Sequence, residues 1–141
     1  MNKKNFQELT SLFFDTRQTI RANLPRAQTD PNAWMRCETL RFIAEEGTPT
    51  MRDIAKQLRI TAPSATSVVH KLIRLGWVQR VPSKADKRVV RISLTRSGEK
   101  ELARYRTQSE KVMRKVFSKL PERELSHLRR ALRSLRDAHN T

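Results

Sequence analysis

Residues 51–95 read MRDIAKQLRITAPSATSVVHKLIRLGWVQRVPSKADKRVVRISLT, and the apolar period changes twice along this stretch. Ile54, Ala55 and Leu58 share one face of a short helix predicted from Met51 to Leu58. Arg59-Ile60-Thr61 makes a turn, and Thr61 stands where a side-chain oxygen caps the next helix. That helix starts at Ala62, with Pro63 in its first turn, where a missing N–H costs little. At about 100° per residue, Ala65, Val68, Val69, Leu72 and Leu75 form its apolar stripe, and Gly76 stops it. From Trp77 to Val81 and from Val89 to Leu94, β-branched residues replace helix formers and the period falls to two. Val90, Ile92 and Leu94 fall on one face, Arg91 and Ser93 on the other. A polar, basic connection from Pro82 to Arg88 joins the two strands. The expected fold is mainly α with a small β-hairpin wing: a winged helix-turn-helix with helix 62–75 and wing 78–94.

Outward from this stretch the chain is helical. Phe6, Leu9, Phe13, Ile20 and Leu24 recur at roughly helical spacing until Pro25. Asp30 and Pro31 read as N-cap and first turn of a second helix, in which Ala33, Cys37, Leu40 and Ala44 share a face, and Gly47 ends it before a Thr-Pro-Thr connection. Thr95 caps a long helix with Leu102, Tyr105, Val112, Val116 and Leu120 as its seam, and Pro121 breaks it. In the last helix Leu125, Leu128, Leu132 and Leu135 are spaced three, four and three, an a/d seam that requires a helical partner. The first helix of the same chain is one such partner and a second copy is the other. Both chain ends are long and amphipathic, and neither completes the helix–helix–hairpin core, which favours a homodimer built on Phe6, Leu9, Phe13, Leu125, Leu128, Leu132 and Leu135. The expected organisation is an N-terminal dimerisation helix (1–30), a DNA-binding region (31–97) and C-terminal dimerisation helices (98–141), within one compact chain.

Thirty Lys and Arg against fourteen Asp and Glu leave a formal charge of +16 on 141 residues. Such an imbalance opposes compaction and points to a polyanionic partner. The basic residues are spread along the chain rather than gathered in one amphipathic helix, and no apolar run exceeds Leu12-Phe13-Phe14, so a membrane partner or a signal peptide is not expected. The expected location is the cytoplasm. A single cysteine excludes an internal disulfide and a cysteine zinc site.

A DNA-reading helix needs one buried face and one face of short polar or cationic side chains. Ser64, Thr66, Ser67, His70, Lys71 and Arg74 make the second face here. Hydroxyls let the backbone approach the groove floor, and Lys71 and Arg74 suit phosphates or guanine N7 and O6. Free N–H groups near Ala62 to Ala65 can hold a phosphate. Lys84, Lys87 and Arg88 sit at the wing tip, and an arginine on a narrow projection suits the negative minor groove of A·T-rich DNA. Asp86 fits two roles, orienting the Arg88 guanidinium or forming the turn, and spacing admits both.

Ile54-Ala55 with Leu58, and Leu72 with Gly76, fit the winged helix-turn-helix pattern. Asp86-x-Arg88 followed by Leu94-Thr95 and then Gly98 resembles the MarR family of bacterial transcriptional regulators, and the resemblance covers nearly the whole chain because the end helices match that family's dimerisation region. It implies a homodimer on a pseudo-palindromic double-stranded operator, with helix 62–75 in the major groove and Arg88 in the flanking minor groove. It also implies a repressor responding to a small phenolic or lipophilic effector, or to an oxidant acting on a cysteine. This chain departs from the pattern at Arg36, where many members carry glutamine, and at Cys37, which lies on an apolar helix face rather than near the N-terminus. A structural thiol and a redox switch both fit Cys37. Trp34, Met35 and Phe42, with Arg36, could line an effector pocket or serve in ordinary packing.

No enzyme is expected: there is no His/carboxylate cluster at metal-ligand spacing, no glycine-rich phosphate loop and no nucleophile elbow, and no cofactor or metal is implied. The competing class is a non-specific architectural or RNA-binding winged helix. An aromatic content of 6%, with no aromatic pair on the hairpin to stack bases, argues against single strands and RNA.

Overall fold

The computed structural model describes residues 2–23 and 32–139. Among the described residues six helices and one hairpin follow in the order α1 (Lys3–Asn23), α2 (Ala33–Glu46), α3 (Met51–Leu58), α4 (Ala62–Arg74), β1 (Val78–Pro82), β2 (Val90–Leu94), α5 (Arg96–Phe117) and α6 (Glu122–His139). This is the mainly helical winged helix-turn-helix that the periodicity predicts. The described residues form two compact units whose division falls inside α5, after Gln108.

The unit from α2 to the first half of α5 carries the buried core. Leu40 and Ile43 of α2, Ile54 of α3, Ala65, Val69 and Leu72 of α4, and Ile92 of β2 are all inaccessible to solvent, with Val78 and Leu102 nearly so. Their meeting follows from the alternation of apolar and polar residues in each element. Two details of the predicted stripes change. Ala44 is exposed, and Phe42 and Thr39 flank Leu40 and Ile43 instead. Leu75 is the exposed C-cap of α4 rather than part of its inner face, and Ile73 packs on the core in its place. The α2 N-cap is Asn32, whose side chain makes no cap hydrogen bond. The expected cap residues Asp30 and Pro31, like Leu24 and Pro25, lie outside the described residues.

Local chemistry sets the breaks that orient α4. Thr50 and Asp53 form a reciprocal capping box at the start of α3: the Asp53 N–H donates to Thr50 Oγ1 at 3.2 Å, and the Thr50 N–H donates to Asp53 Oδ2 at 2.9 Å. The bond from the Thr50 N–H, and then the Thr50 hydroxyl, hold the Asp53 carboxyl below the ordinary carboxylate range. Arg59 closes α3 with φ 53°, a left-handed cap usually given to glycine. At the far end of α4, the Trp77 N–H donates to the Leu72 carbonyl and the Gly76 N–H to that of Ile73, with Gly76 at φ 75°. This Schellman pattern turns the chain sharply into β1.

The hairpin is antiparallel, with Val78 opposite Leu94, Arg80 opposite Ile92 and Pro82 opposite Val90. Its base is pinned by the α2–α3 connection. The Ile92 N–H donates to the Pro49 carbonyl, Thr50 bridges Arg91, and the Arg91 guanidinium donates to the Thr48 carbonyl at 2.9 Å. The predicted Thr-Pro-Thr connector is therefore also a third short edge of the wing. Thr95 fastens the start of α5: its N–H donates to the Trp77 carbonyl, its hydroxyl to the Gly76 carbonyl, and its Oγ1 accepts from the Gly98 N–H.

In the other unit, α1 has no buried residue, and Phe6, Leu9, Leu12, Phe13 and Phe14 are each more than half exposed. On α6, Leu125 and Leu128 are half-buried, while Leu132 and Leu135 are exposed. Leu120 follows the end of α5 and is also exposed.

Candidate nucleic-acid interface

Ser64, Ser67, His70, Lys71 and Arg74 are exposed on α4, and Thr66 is half-buried. Two of the hydroxyls already have local partners. Ser64 Oγ accepts from Thr61 Oγ1 at 2.8 Å, which leaves its own proton to donate outward. Thr66 Oγ1 donates to the Ala62 carbonyl at 3.0 Å and keeps lone pairs to accept. The α4 N-terminus is less open to an anion than the sequence suggests. The Ser64 N–H goes to Thr61 Oγ1, the Ala65 N–H to the Thr61 carbonyl, and Pro63 has none, so at most the Ala62 N–H is left.

The wing tip is a closed loop. The Ser83 N–H donates to the Val89 carbonyl and the Val89 N–H to the Asp86 carbonyl, above a buried Ser83. Lys84, Asp86, Lys87 and Arg88 all point to solvent. Asp86 Oδ1 accepts the Arg88 N–H at 3.0 Å, a bond that closes the turn, and lies 3.6 Å from Arg88 Nε. The Arg88 side chain remains 94% exposed, so the ion pair leaves its guanidinium available.

One cation of this face has no counterpart among the residues singled out from sequence. Arg80, on β1, places Nη2 2.9 Å from His70 Nε2 of α4. Alternation from buried Val78 puts Arg80 on the helix-facing side of the strand, and that period was the signal available in the sequence.

Trp34 is 54% exposed, Met35 and Arg36 are half-buried, and Phe42 belongs to the core cluster. A cleft of about 310 Å³ lies elsewhere in the same unit, lined by Ile43, Gly47, Leu94, Leu102 and Arg106 among others and by none of those four. Cys37 is half-buried. On the outer side of α2, Arg41 pairs with Glu38 at 2.8 Å and Glu45 at 2.7 Å, and the hydrogen bond that it donates to Glu38 above all raises its pKa further. Among the described residues no group of three or more His, Cys, Asp or Glu could hold a metal ion, and no helix is long and apolar enough to cross a membrane.

Residues 33–89, from α2 to the wing tip, match the profile of the MarR family. This stretch of the chain is similar to MarR-family proteins. Over 89 residues it is 32% identical to the HTH-type transcriptional regulator YpoP of Bacillus subtilis (strain 168), covering 63% of each chain. Over 61 residues it is 39% identical to the HTH-type transcriptional regulator FarR of Neisseria gonorrhoeae, covering 43% of this chain and 42% of that one. It is 32% identical over 92 residues to the homoprotocatechuate degradative operon repressor of Escherichia coli, covering 63% and 62%. The matched stretch thus spans less than two thirds of the length of these relatives. The fold resembles that of a MarR family protein from Bacillus stearothermophilus with a TM-score of 0.84 at 22% identity, covering 100% of this chain and 99% of that one. It also resembles a cysteine-to-serine mutant of Escherichia coli MarR complexed with operator DNA, with a TM-score of 0.74 at 22% identity over 96% and 99%. The profile match takes in all of α4 and the Asp86-x-Arg88 tip, while Leu94-Thr95 and Gly98 lie beyond it.

Proposed function

We propose that this protein is a sequence-specific, double-stranded DNA-binding transcriptional regulator acting in the cytoplasm as a homodimer on a pseudo-palindromic operator. The observation that carries the reading is the joint exposure of two cationic elements on a MarR-family fold. Lys71 and Arg74 lie on the free face of α4, and Arg88 lies on a wing whose base is pinned. In this reading α4 enters the major groove, with Ser64, Thr66, Ser67 and His70 near base edges. Arg88 enters the flanking minor groove, with Lys84 and Lys87 on phosphates. The name of the operon repressor among the relatives supports a repressor, and the operator complex of the Escherichia coli MarR mutant supports DNA as the partner.

The second copy is proposed from the ends of the chain. Phe6, Leu9 and Phe13 on α1, and Leu132 and Leu135 on α6, stay about half exposed or more. Contiguous apolar surface of this kind on both terminal helices favours burial against a partner. An effector of small aromatic or lipophilic chemistry would find Trp34, Met35 and Arg36 at the start of α2, with Cys37 beside them.

Selection of bound sequences from random DNA tests the reading, followed by competition with non-specific DNA over a range of salt. A regulator returns one inverted-repeat sequence and keeps it when competitor is added. A binder that selects no sequence and is titrated away would be architectural, and preference for single strands or RNA would also overturn the reading.

A further inference from the structure

The contact between Arg80 and His70 joins the wing to the recognition helix at the face assigned to DNA. Guanidinium nitrogens only donate, so His70 Nε2, 2.9 Å from Arg80 Nη2, must accept with its lone pair. An imidazole that accepts at Nε2 is neutral and carries its proton on Nδ1. The same ring in water interconverts between two tautomers, and one of them would offer an acceptor at Nδ1.

We infer that Arg80 is a positioning residue for DNA reading, which holds His70 as the Nδ1–H tautomer so that α4 presents a fixed hydrogen-bond donor. The inference rests on the DNA-binding reading above and adds to it a residue and a chemical preference. A fixed donor suits acceptors on DNA: guanine N7 and O6, adenine N7, thymine O4 or a phosphate oxygen. It disfavours a cytosine or adenine amino group, which also donates. His70 lies one turn from Ser67 and from Arg74 along the exposed side of α4, so its donor falls within the row of side chains that would face the groove. Arg80 reaches it because β1 alternates. Val78 is buried, so Arg80 leaves the strand on the same side, beyond the edge of the core. The hairpin thus acts on α4 from its base while its tip carries Arg88.

The test has one arm without DNA and one with it. Proton–nitrogen correlation spectra of the histidine rings in the full chain, with the His70 signal assigned by its loss in His70→Asn, should show the Nδ1–H form. Arg80→Ala should return the ring to a tautomer mixture. On the selected operator, Arg80→Ala should weaken binding about three- to tenfold, the scale of one net hydrogen bond. His70→Asn places an amide N–H near the position of Nδ1 and needs no partner, so it should make binding insensitive to Arg80→Ala. His70→Gln places its amide near Nε2 and should not. Both sites are exposed, so folding is not at stake, and circular dichroism checks it. An unchanged tautomer in Arg80→Ala would overturn the inference. So would an Arg80→Ala loss of full size in the His70→Asn background, since Arg80 would then bind phosphate on its own. A chain that selects no DNA would remove the proposed function and this inference together. DNA selection with an indifferent His70 would remove the inference alone.

Discussion

Asp86 and Arg88 are joined twice through one carboxylate oxygen. Asp86 Oδ1 accepts the Arg88 backbone N–H at 3.0 Å and lies 3.6 Å from Arg88 Nε. The first contact shapes the turn, and the second biases a long side chain that is otherwise almost wholly in solvent. At this exposure the ion pair itself contributes little to folding. Its proposed effect is on the direction in which Arg88 leaves the wing.

Arg88→Ala should weaken operator binding by roughly 1–3 kcal/mol, the size of one good specific contact. Asp86→Ala removes an acid from the proposed DNA face, which by Coulomb's law alone should strengthen binding. A loss smaller than that of Arg88→Ala, and absent in the Arg88→Ala background, would identify Asp86 as the positioner. Fluorescence anisotropy at fixed salt measures all three variants. A gain in affinity for Asp86→Ala would leave it as a turn-former only.

Gly98 has a structural requirement independent of DNA. A Cβ built there would overlap the Trp77 carbonyl oxygen, which is backbone and itself accepts the Thr95 N–H. Gly98→Ala should therefore lift the first turn of α5 from the α4–β1 turn and destabilise the fold by about 1–3 kcal/mol. Ser97→Ala, at the exposed neighbouring position, should stay within about 0.5 kcal/mol. Urea denaturation compares them, and equal midpoints would show that the close approach is relieved at no cost.

Leu128→Asp with Leu132→Asp should yield monomers that lose operator binding. In the proposed two-fold mode, two half-sites are read together about 34 Å apart, one helical turn of DNA, and a monomer would hold only one. Light scattering reports the mass and the binding assay the affinity. A monomer that binds as tightly as the unmodified chain would remove the two-fold geometry.

Asp53 predicts the direction of one pH effect. Its folded carboxyl is held below the ordinary value by bonds from the backbone and hydroxyl of Thr50. The folded chain therefore binds that proton less readily than the unfolded chain, and the capping box stabilises fully above the ordinary carboxylate range. The contribution fades as pH falls through the lowered folded value. The group is exposed, so the effect is small. Asp53→Ala should lower Tm at pH 7, and the gap to the unmodified chain should narrow in acid. A gap that widens in acid would contradict the assignment.

The stop and start signals around α3 and α4 were legible because they are local. Thr61 caps through a hydrogen bond three residues on, Gly76 turns at positive φ, and Thr95 receives the Gly98 N–H. The stripe of Ala65, Val69 and Leu72 is legible for the same reason, since helical period alone puts them on one side. Leu75 fails that rule because the helix ends before it. Ala44 fails it because α2 turns Thr39, Leu40, Phe42 and Ile43 to the core, a rotation set by the partners α2 packs against.

The sequence by itself determined the fold class, the row of polar residues on α4 and the basic wing tip, because each depends on spacings of a few residues within one element. Only the tertiary structure decided that Arg91 donates to the Thr48 carbonyl, that Trp77 leaves no room at position 98, and that Arg80 meets His70. Those pairs are 43, 21 and 10 residues apart, the separations of the first and last being those of the bonds themselves. Such contacts depend on how one element is rotated against another. That rotation is set by the packing of the whole core around Leu40, Ile54, Val69 and Ile92, and it is not encoded in any single stretch of the chain.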